Sequence, residues 1–334
     1  MTASDRRRRP AVLLLAAALV GLAGAAPAAA QESPPEAPSC LPEGAEQPMR
    51  YDGWPVPGQA QASGDLIPYI VSTQLVAGPA RILLTLLDST NAILAAPDVP
   101  VTVALYDLVA DPATPVATVD GAYLDPGTGR GLYRIAAELR CWGDWGMEVT
   151  AGLPGGPVSA RVITGVLPAG STPRIGTPAP LSDSPVGTTS AEIAAITTDL
   201  DPEPAFYAYS IADAVTSGRP SAILFATPML CATATCGPTL DIVKKVAAEV
   251  GDALVVVHVE PYQLRLTEGG IQPLLSADGQ LQPLPAVFDW GLPTEPYLFI
   301  VDAQGRIAAA LEGIVGEDEL RAAVLDVLGG ATAG

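Results

Sequence analysis

The hydrophobic pattern of this 334-residue chain changes near its middle, which indicates two domains of different kinds. Before residue 168, apolar residues come in short β-rich runs separated by turn residues, as at 81–87 and 131–139. After residue 205, continuous apolar runs alternate with segments whose apolar residues fall at helical spacing. The first pattern predicts an antiparallel β-sandwich of the immunoglobulin-like type. The second predicts an α/β domain in which helices cover a sheet.

The second half has the predicted order strand, helix, strand, long connection, hairpin, helix. Continuous apolar strands without alternation are typical of a sheet that is covered on both faces. The predicted elements are strands at 221–226 and 253–259, a helix that ends at Gly251, a hairpin of 297–301 and 307–311, and a helix over 317–328.

Segments without hydrophobic periodicity mark the expected boundaries. We expect a signal peptide over residues 1–30 and a flexible, Pro-rich lead-in over 31–63. The β-sandwich then spans 64–167, an interdomain linker rich in Pro, Ser, Thr and Gly spans 168–205, and the α/β domain spans 206–330.

The N-terminal segment predicts export from the cytoplasm. Four arginines, Arg6 to Arg9, precede twenty uncharged residues, which end in Ala28-Ala29-Ala30. A basic region, an apolar region and an Ala-x-Ala site are typical of a cleaved signal peptide. The alternative is an uncleaved anchor, because twenty apolar residues just span a bilayer. The expected location is therefore extracytoplasmic: secreted, or on the outer membrane face if the anchor is retained.

Charge and histidine content exclude several functions. With 17 basic and 36 acidic residues the net charge is −19, which argues against binding to nucleic acid or to anionic lipid. His258 is the single histidine, so a two-histidine zinc site within one chain is excluded. We expect no cofactor, and the sequence leaves the oligomeric state open.

Two of the four cysteines form a candidate reactive pair. Cys231 and Cys236 follow the first apolar strand, where the chain enters the predicted helix. Reactive groups of open α/β sheets lie at the carboxyl ends of strands, and a helix N-terminus stabilises a thiolate. Residues five apart on a continuous helix differ by roughly 140° in direction, so a disulfide requires a break between them. Pro238 favours a late helix start.

With these residues, the second half is similar to a thioredoxin-fold domain of the extracytoplasmic thiol–disulfide oxidoreductase type. The resemblance rests on the cysteine pair at a helix start, on the hairpin and closing helix, and on Pro296 before the strand that begins at Tyr297. It implies that Cys231 attacks, that Cys236 resolves, and that Pro296 is the cis-proline facing the pair. The implied partners are thiols and disulfides of extracytoplasmic proteins.

The sequence departs from this family in its cysteine spacing. Thioredoxins place two residues between their cysteines, whereas four intervene here, and Leu230 stands where they have tryptophan. Because Cys236-Gly237-Pro238 resembles the end of the thioredoxin motif, Cys236 remains an alternative nucleophile. The spacing is also similar to one class of atypical peroxiredoxins, although Leu224 and Pro228 replace two residues of their motif.

Three further interpretations remain open at this point. Two thiolates and one imidazole suit copper(I), so Cys231, Cys236 and His258 could form a copper-delivery module for oxidase assembly. The pair could instead be a static disulfide, although closing so short a loop removes little unfolded-state entropy. The whole chain could also be a non-enzymatic scaffold of the cell envelope.

The first half is similar to the small extracytoplasmic YtkA/FixH-like domains. The similarity rests on Gly131-Leu132-Tyr133 and on residues 143–149, which correspond to their closing strands. Cys141 lies between these two stretches, and Cys40 is the remaining thiol. In an oxidising compartment we expect a structural Cys40–Cys141 disulfide, with free thiols or an intermolecular bridge as alternatives.

Overall fold

The computed structural model of the chain describes residues 37–44, 49–57, 60–61 and 64–331. The predicted signal peptide, residues 1–30, lies outside the described residues. Among the described residues, no helix is long and apolar enough to cross a membrane. The protein is mostly β-sheet, with few helices.

Nine strands of the N-terminal half form two antiparallel sheets. One sheet has the order β1-β9-β8-β4-β5, and the other has the order β2-β3-β7-β6. The strands are β1 (Ala60–Gln61), β2 (Ile67–Ile70), β3 (Gly78–Leu87), β4 (Val101–Asp107), β5 (Ala117–Asp120), β6 (Ala122–Leu124), β7 (Leu132–Leu139), β8 (Gly143–Leu153) and β9 (Gly156–Val166).

The two sheets share one apolar core, as expected for a sandwich. Tyr133 and Trp145 are buried in it, and both polar tips are satisfied. The Tyr133 hydroxyl donates to the carbonyl oxygen of Val99 at 2.7 Å, and the Trp145 indole N–H donates to that of Cys141 at 3.0 Å. Buried aromatics with satisfied polar groups hold the two sheets together.

The predicted flexible lead-in contains residues that pack against the sandwich. Tyr51 and Trp54 are buried with Tyr106 in a small apolar cluster. The Trp54 indole N–H donates to the Pro112 carbonyl at 2.9 Å, and the Arg161 guanidinium lies 4.7 Å from the centre of its ring. The interpretation as a flexible segment therefore does not hold for residues 49–57, because single aromatics in Pro-rich sequence can bury without any periodicity.

The C-terminal half contains a four-stranded sheet of order β11-β10-β14-β15. β10 pairs in parallel with β11 and antiparallel with β14. A separate hairpin, β12 and β13, lies in the long connection. The elements are α1 (Ser190–Ile193), α2 (Ile211–Thr216), β10 (Ser221–Phe225), α3 (Cys236–Val250), β11 (Val255–Val259), β12 (Leu264–Thr267), β13 (Gly270–Pro273), α4 (Pro285–Asp289), β14 (Tyr297–Val301), β15 (Ile307–Glu312) and α5 (Glu317–Ala331).

This sheet has an apolar core on each face. On one face α3 and α5 pack on it, and on the other face α2 and α4 do so. Leu240, Val243 and Val246 form the buried stripe of α3, at the helical spacing expected from the sequence. The helix ends at Val250, and the next residue, Gly251, has a φ of 57°, which favours glycine. From β10 onward the predicted elements occur in the predicted order, and the structure adds α1 and α2 before β10 and the β12–β13 hairpin and α4 in the long connection.

The segment expected to be a linker, residues 168–205, is an integral part of this half. Pro178 forms a β-bridge with Arg306, and the Ala179 N–H donates to the Gly305 carbonyl at 2.9 Å. Ile193 of α1 is buried in the core beneath α3. The linker prediction is corrected because this segment satisfies its backbone groups against the β14–β15 turn, a long-range contact that leaves no periodic pattern.

A charged clamp joins the two halves. Arg81 of β3 donates to both carboxylate oxygens of Glu319, at 2.7 and 2.9 Å, and to the carbonyl oxygens of Glu312 and Ile314, at 2.5 and 2.6 Å. Next to it, Ile314 packs in an apolar cluster with residues of the sandwich. Because the guanidinium binds the carboxylate through two hydrogen bonds and also binds carbonyls, it sets both the distance and the orientation between β3 and α5.

We predict that Arg81→Met destabilises the chain by about 2 kcal/mol. Glu319 then loses its bidentate partner and keeps only the longer contacts with Arg134 at 3.6 Å and the Gly316 N–H at 3.4 Å, and two carbonyls lose a donor in a largely buried position. Urea unfolding checks this. Arg321→Met is the matched control, since Arg321 binds three carboxylates at the surface and its loss should change stability much less. Equal effects of the two substitutions would contradict the clamp.

Candidate functional site

The cysteine pair lies in the connection between β10 and α3. β10 ends at Phe225, and an irregular loop carries Cys231 before α3 begins at Cys236. The Cα atoms of the two cysteines are 6.0 Å apart, and their sulfurs are joined in a disulfide. The break that this pairing requires is the loop itself, in which Ala234 has a φ of 59°. The structure thus brings together the two predicted residues.

The two cysteines differ in accessibility. Cys231 is partly exposed, whereas Cys236 is fully buried at 0%. The Cys236 backbone N–H, the first of α3, donates to Cys231 Sγ at 3.3 Å. The Thr233 hydroxyl lies 3.2 Å from the same sulfur. Both groups and the N-terminus of a 15-residue helix stabilise negative charge on Cys231 Sγ once the disulfide is reduced.

Pro296 lies at the same edge of the sheet as the cysteine loop. The Glu295–Pro296 peptide bond is cis. β14 starts at the next residue, Tyr297, which pairs with Phe225 at the end of β10. Because the two strands are antiparallel, the start of β14 and the end of β10 meet at one edge. The structure thus places Pro296 beside the exit of the chain into the cysteine loop.

His258 is buried in β11 and both of its ring nitrogens have partners. Nε2 lies 3.0 Å from the Ala226 carbonyl oxygen, and Nδ1 lies 2.8 Å from the Tyr207 hydroxyl. A carbonyl can only accept, so Nε2 carries the proton. Burial lowers the pKa of His258. The neutral imidazole is therefore the form that the fold favours.

The structure does not bring His258 and the cysteine pair together as metal ligands. Across the described residues, the one group with metal-ligand spacing is Cys40, Asp107 and Cys141. Cys40 and Cys141 are joined in a disulfide, with Cα atoms 5.2 Å apart, so their sulfurs are already bonded. The copper alternative therefore gains no support from this geometry.

A buried carboxylate supports the cysteine loop from below. Glu260 Oε1 accepts from the Thr198 N–H at 2.5 Å and from the Thr198 hydroxyl at 2.7 Å. The Thr198 hydroxyl oxygen accepts in turn from the N–H of Met229, which lies two residues before Cys231. The Thr197 hydroxyl also donates to Glu260 Oε1, at 3.3 Å, and it accepts from the Tyr207 hydroxyl, which contacts His258. Glu260 thus positions the loop through Thr198.

Glu260 and Thr198 are site residues that were not identified from the sequence. Glu260 directly follows β11, and polar groups at the carboxyl ends of neighbouring parallel strands meet at one edge. That placement was a usable signal for Glu260. Thr198 lies in the segment interpreted as a linker, so it offered no comparable signal.

No protein-family model matches this chain, and no curated protein matches it significantly. A solved thioredoxin-like superfamily protein is 19% identical with a TM-score of 0.29, over 45% of this chain and 96% of that chain. The PKD domain of the human VPS10 domain-containing receptor SorCS2 is 15% identical with a TM-score of 0.20, over 38% and 94%.

A crystal structure of an engineered protein is 15% identical with a TM-score of 0.23, over 30% of this chain and 20% of that chain. The match therefore spans about a fifth of the engineered protein's length. These solved structures include a thioredoxin-like protein and a β-sandwich domain.

We predict that stability falls below about pH 6.5 and that His258→Gln reduces this slope. Since the folded-state pKa of His258 is lowered, the unfolded chain binds more protons there, and one proton contributes up to about 1.4 kcal/mol per pH unit. Urea unfolding between pH 8 and 5.5 measures the slope.

Tyr207→Phe is the control for this measurement. It removes the hydroxyl partner of Nδ1 but keeps the buried imidazole, so most of the slope should remain. If His258→Gln leaves the slope unchanged, another group causes the loss of stability at low pH.

Proposed function

We propose that this chain is an exported, thioredoxin-like protein that exchanges disulfides with other extracytoplasmic proteins through Cys231 and Cys236. The observation that carries the proposal is the asymmetry of the pair. Cys231 is partly exposed at a helix N-terminus, and Cys236 is buried directly behind it. An accessible attacking thiol with an inaccessible resolving thiol is the arrangement that two-step exchange requires.

In the reducing direction, the Cys231 thiolate attacks one sulfur of a substrate disulfide. The substrate S–S bond breaks, a mixed disulfide forms, and the other substrate sulfur leaves as a thiolate. Cys236 then loses its proton and attacks Cys231 Sγ, which releases the second substrate thiolate. Two electrons pass from the protein dithiol to the substrate, and a dithiol reductant must restore the reduced pair.

The alternative assignment, with Cys236 as nucleophile, is less consistent with burial. A substrate disulfide must approach the attacking sulfur along the S–S axis, and Cys236 has no exposed surface for this. The contacts of Cys231 Sγ with the Cys236 N–H and the Thr233 hydroxyl stabilise charge on the exposed sulfur instead. Cys231 therefore acts as the nucleophile in the proposal.

Pro296 serves substrate binding in this proposal. In this proposal an extended substrate segment lies along Pro296, beside the exit of β10 and next to Cys231. The proposed extracytoplasmic location is supported by the arginine run and apolar segment of residues 1–30, and by two disulfides, which persist outside the cytoplasm.

We predict that Cys231→Ser lowers the rate of peptide-disulfide reduction by at least ~100-fold, because no other described thiol is both free and accessible. Cys236→Ser is the matched variant: it should accumulate a mixed disulfide through Cys231, since the resolving thiol is missing. Stopped-flow kinetics and intact-protein mass spectrometry check both.

Unchanged reduction by Cys231→Ser would refute the assignment of the nucleophile. A pair that no dithiol reductant can open would favour the static disulfide of a scaffold protein.

A further inference from the structure

A pocket lies next to the proposed substrate edge, where the long connection returns to β14. It has a volume of about 340 Å³, at the small end of the ~300–1,000 Å³ that is typical of ligand pockets. Tyr262, which follows β11, and Glu295, which precedes β14, both line it. Because Glu295 is the residue before Pro296, the pocket opens beside the position proposed for the substrate chain.

Glu295 is the one ionisable acid in the pocket wall, and it is partly buried. Its Oε2 accepts a hydrogen bond from the Tyr262 hydroxyl at 3.1 Å. No lysine or arginine lines the pocket, and none in the described part of the chain forms an ion pair with this carboxylate. A partly desolvated carboxylate without a cation is costly, and a cation from outside would offset that cost.

The remaining walls are mainly apolar. Val287, Leu292 and Pro293 contribute to them, and Phe288 lies among them with 70% of its surface exposed. An exposed aromatic ring beside a carboxylate matches a long side chain with an apolar stem and a positive end. Lysine and arginine are the amino acids with this combination.

We propose that this pocket binds a lysine or arginine side chain of the substrate polypeptide, with Glu295 as the counter-charge and Phe288 covering the aliphatic stem. The inference rests on the proposed function, because it places the basic residue close to the cysteine that Cys231 attacks. Protein substrates with a basic residue near the reacting cysteine are therefore preferred.

Two further observations agree with a basic ligand. Burial raises the pKa of Glu295, and burial next to this carboxylate raises the pKa of Tyr262 to about 12. A cation in the pocket would stabilise the charged form of Glu295. The chain also carries 36 acidic against 17 basic residues, so its overall field attracts basic segments and repels acidic ones.

The test uses four peptides that differ at one position beside a central cysteine: lysine, arginine, norleucine or glutamate. The cysteine is blocked as a methyl disulfide. Binding is measured by fluorescence anisotropy on Cys231→Ser/Cys236→Ser protein, in which no exchange occurs. We expect the lysine and arginine peptides to bind at least tenfold more tightly than the glutamate peptide, a difference of about 1.4 kcal/mol.

Adding Glu295→Gln should weaken the binding of the lysine and arginine peptides about tenfold and leave the binding of the norleucine peptide unchanged. Glu295→Lys should reverse the preference, so that the glutamate peptide binds more tightly than the lysine and arginine peptides. Glu268→Gln is the matched control, since Glu268 is exposed in the β12–β13 turn and does not line the pocket. Phe288→Ser should weaken the binding of the lysine, arginine and norleucine peptides alike, because in all three the aliphatic stem loses its contact with the Phe288 ring. Equal affinity for the four peptides, or the same loss in Glu268→Gln, would overturn the pocket assignment.

A kinetic arm separates this inference from the proposed function. The same peptides are reacted with Cys236→Ser protein, and the rate of mixed-disulfide formation is recorded. If binding shows the basic preference but no mixed disulfide forms, the oxidoreductase proposal fails and the pocket stands. If exchange is fast but independent of the varied residue, the pocket assignment fails and the oxidoreductase proposal stands.

Discussion

The site depends on the burial of β10 on both faces and along both edges. All five residues of this strand are buried, and it pairs with β11 on one side and β14 on the other. A strand held in this way fixes where the chain leaves the sheet, at Phe225, and in which direction. The cysteine loop, the N-terminus of α3 and Pro296 are all positioned by that exit.

Polar groups beneath the loop convert this fixed exit into a defined loop conformation. His258 binds the Ala226 carbonyl just after β10, and Glu260 holds Thr198, which in turn binds the N–H of Met229. Burying a carboxylate and an imidazole is unfavourable unless they are hydrogen-bonded, and the Ala226 carbonyl and the Met229 N–H, which follow β10, supply two bonds of this network. The loop and its support therefore depend on each other.

Much of the fold was predictable because buried strands and amphipathic helices leave local patterns. The runs at 221–226 and 317–328 and the stripe of α3 identified their elements within a few residues. Two segments were misinterpreted. Residues 49–57 and 168–205 lack periodicity, since their buried residues contact distant parts of the chain one at a time.

The sequence by itself determined the two types of domain, the order of the elements and the position of a cysteine pair at a helix start, because these follow from local periodicity and spacing. Only the tertiary structure decided that Cys236 is buried while Cys231 is accessible. It also decided that both ring nitrogens of His258 have hydrogen-bond partners, in Tyr207 and Ala226, and that Glu295 faces a pocket without a cation. Those properties depend on which distant side chains meet, and contacts between distant residues are not encoded in any local pattern.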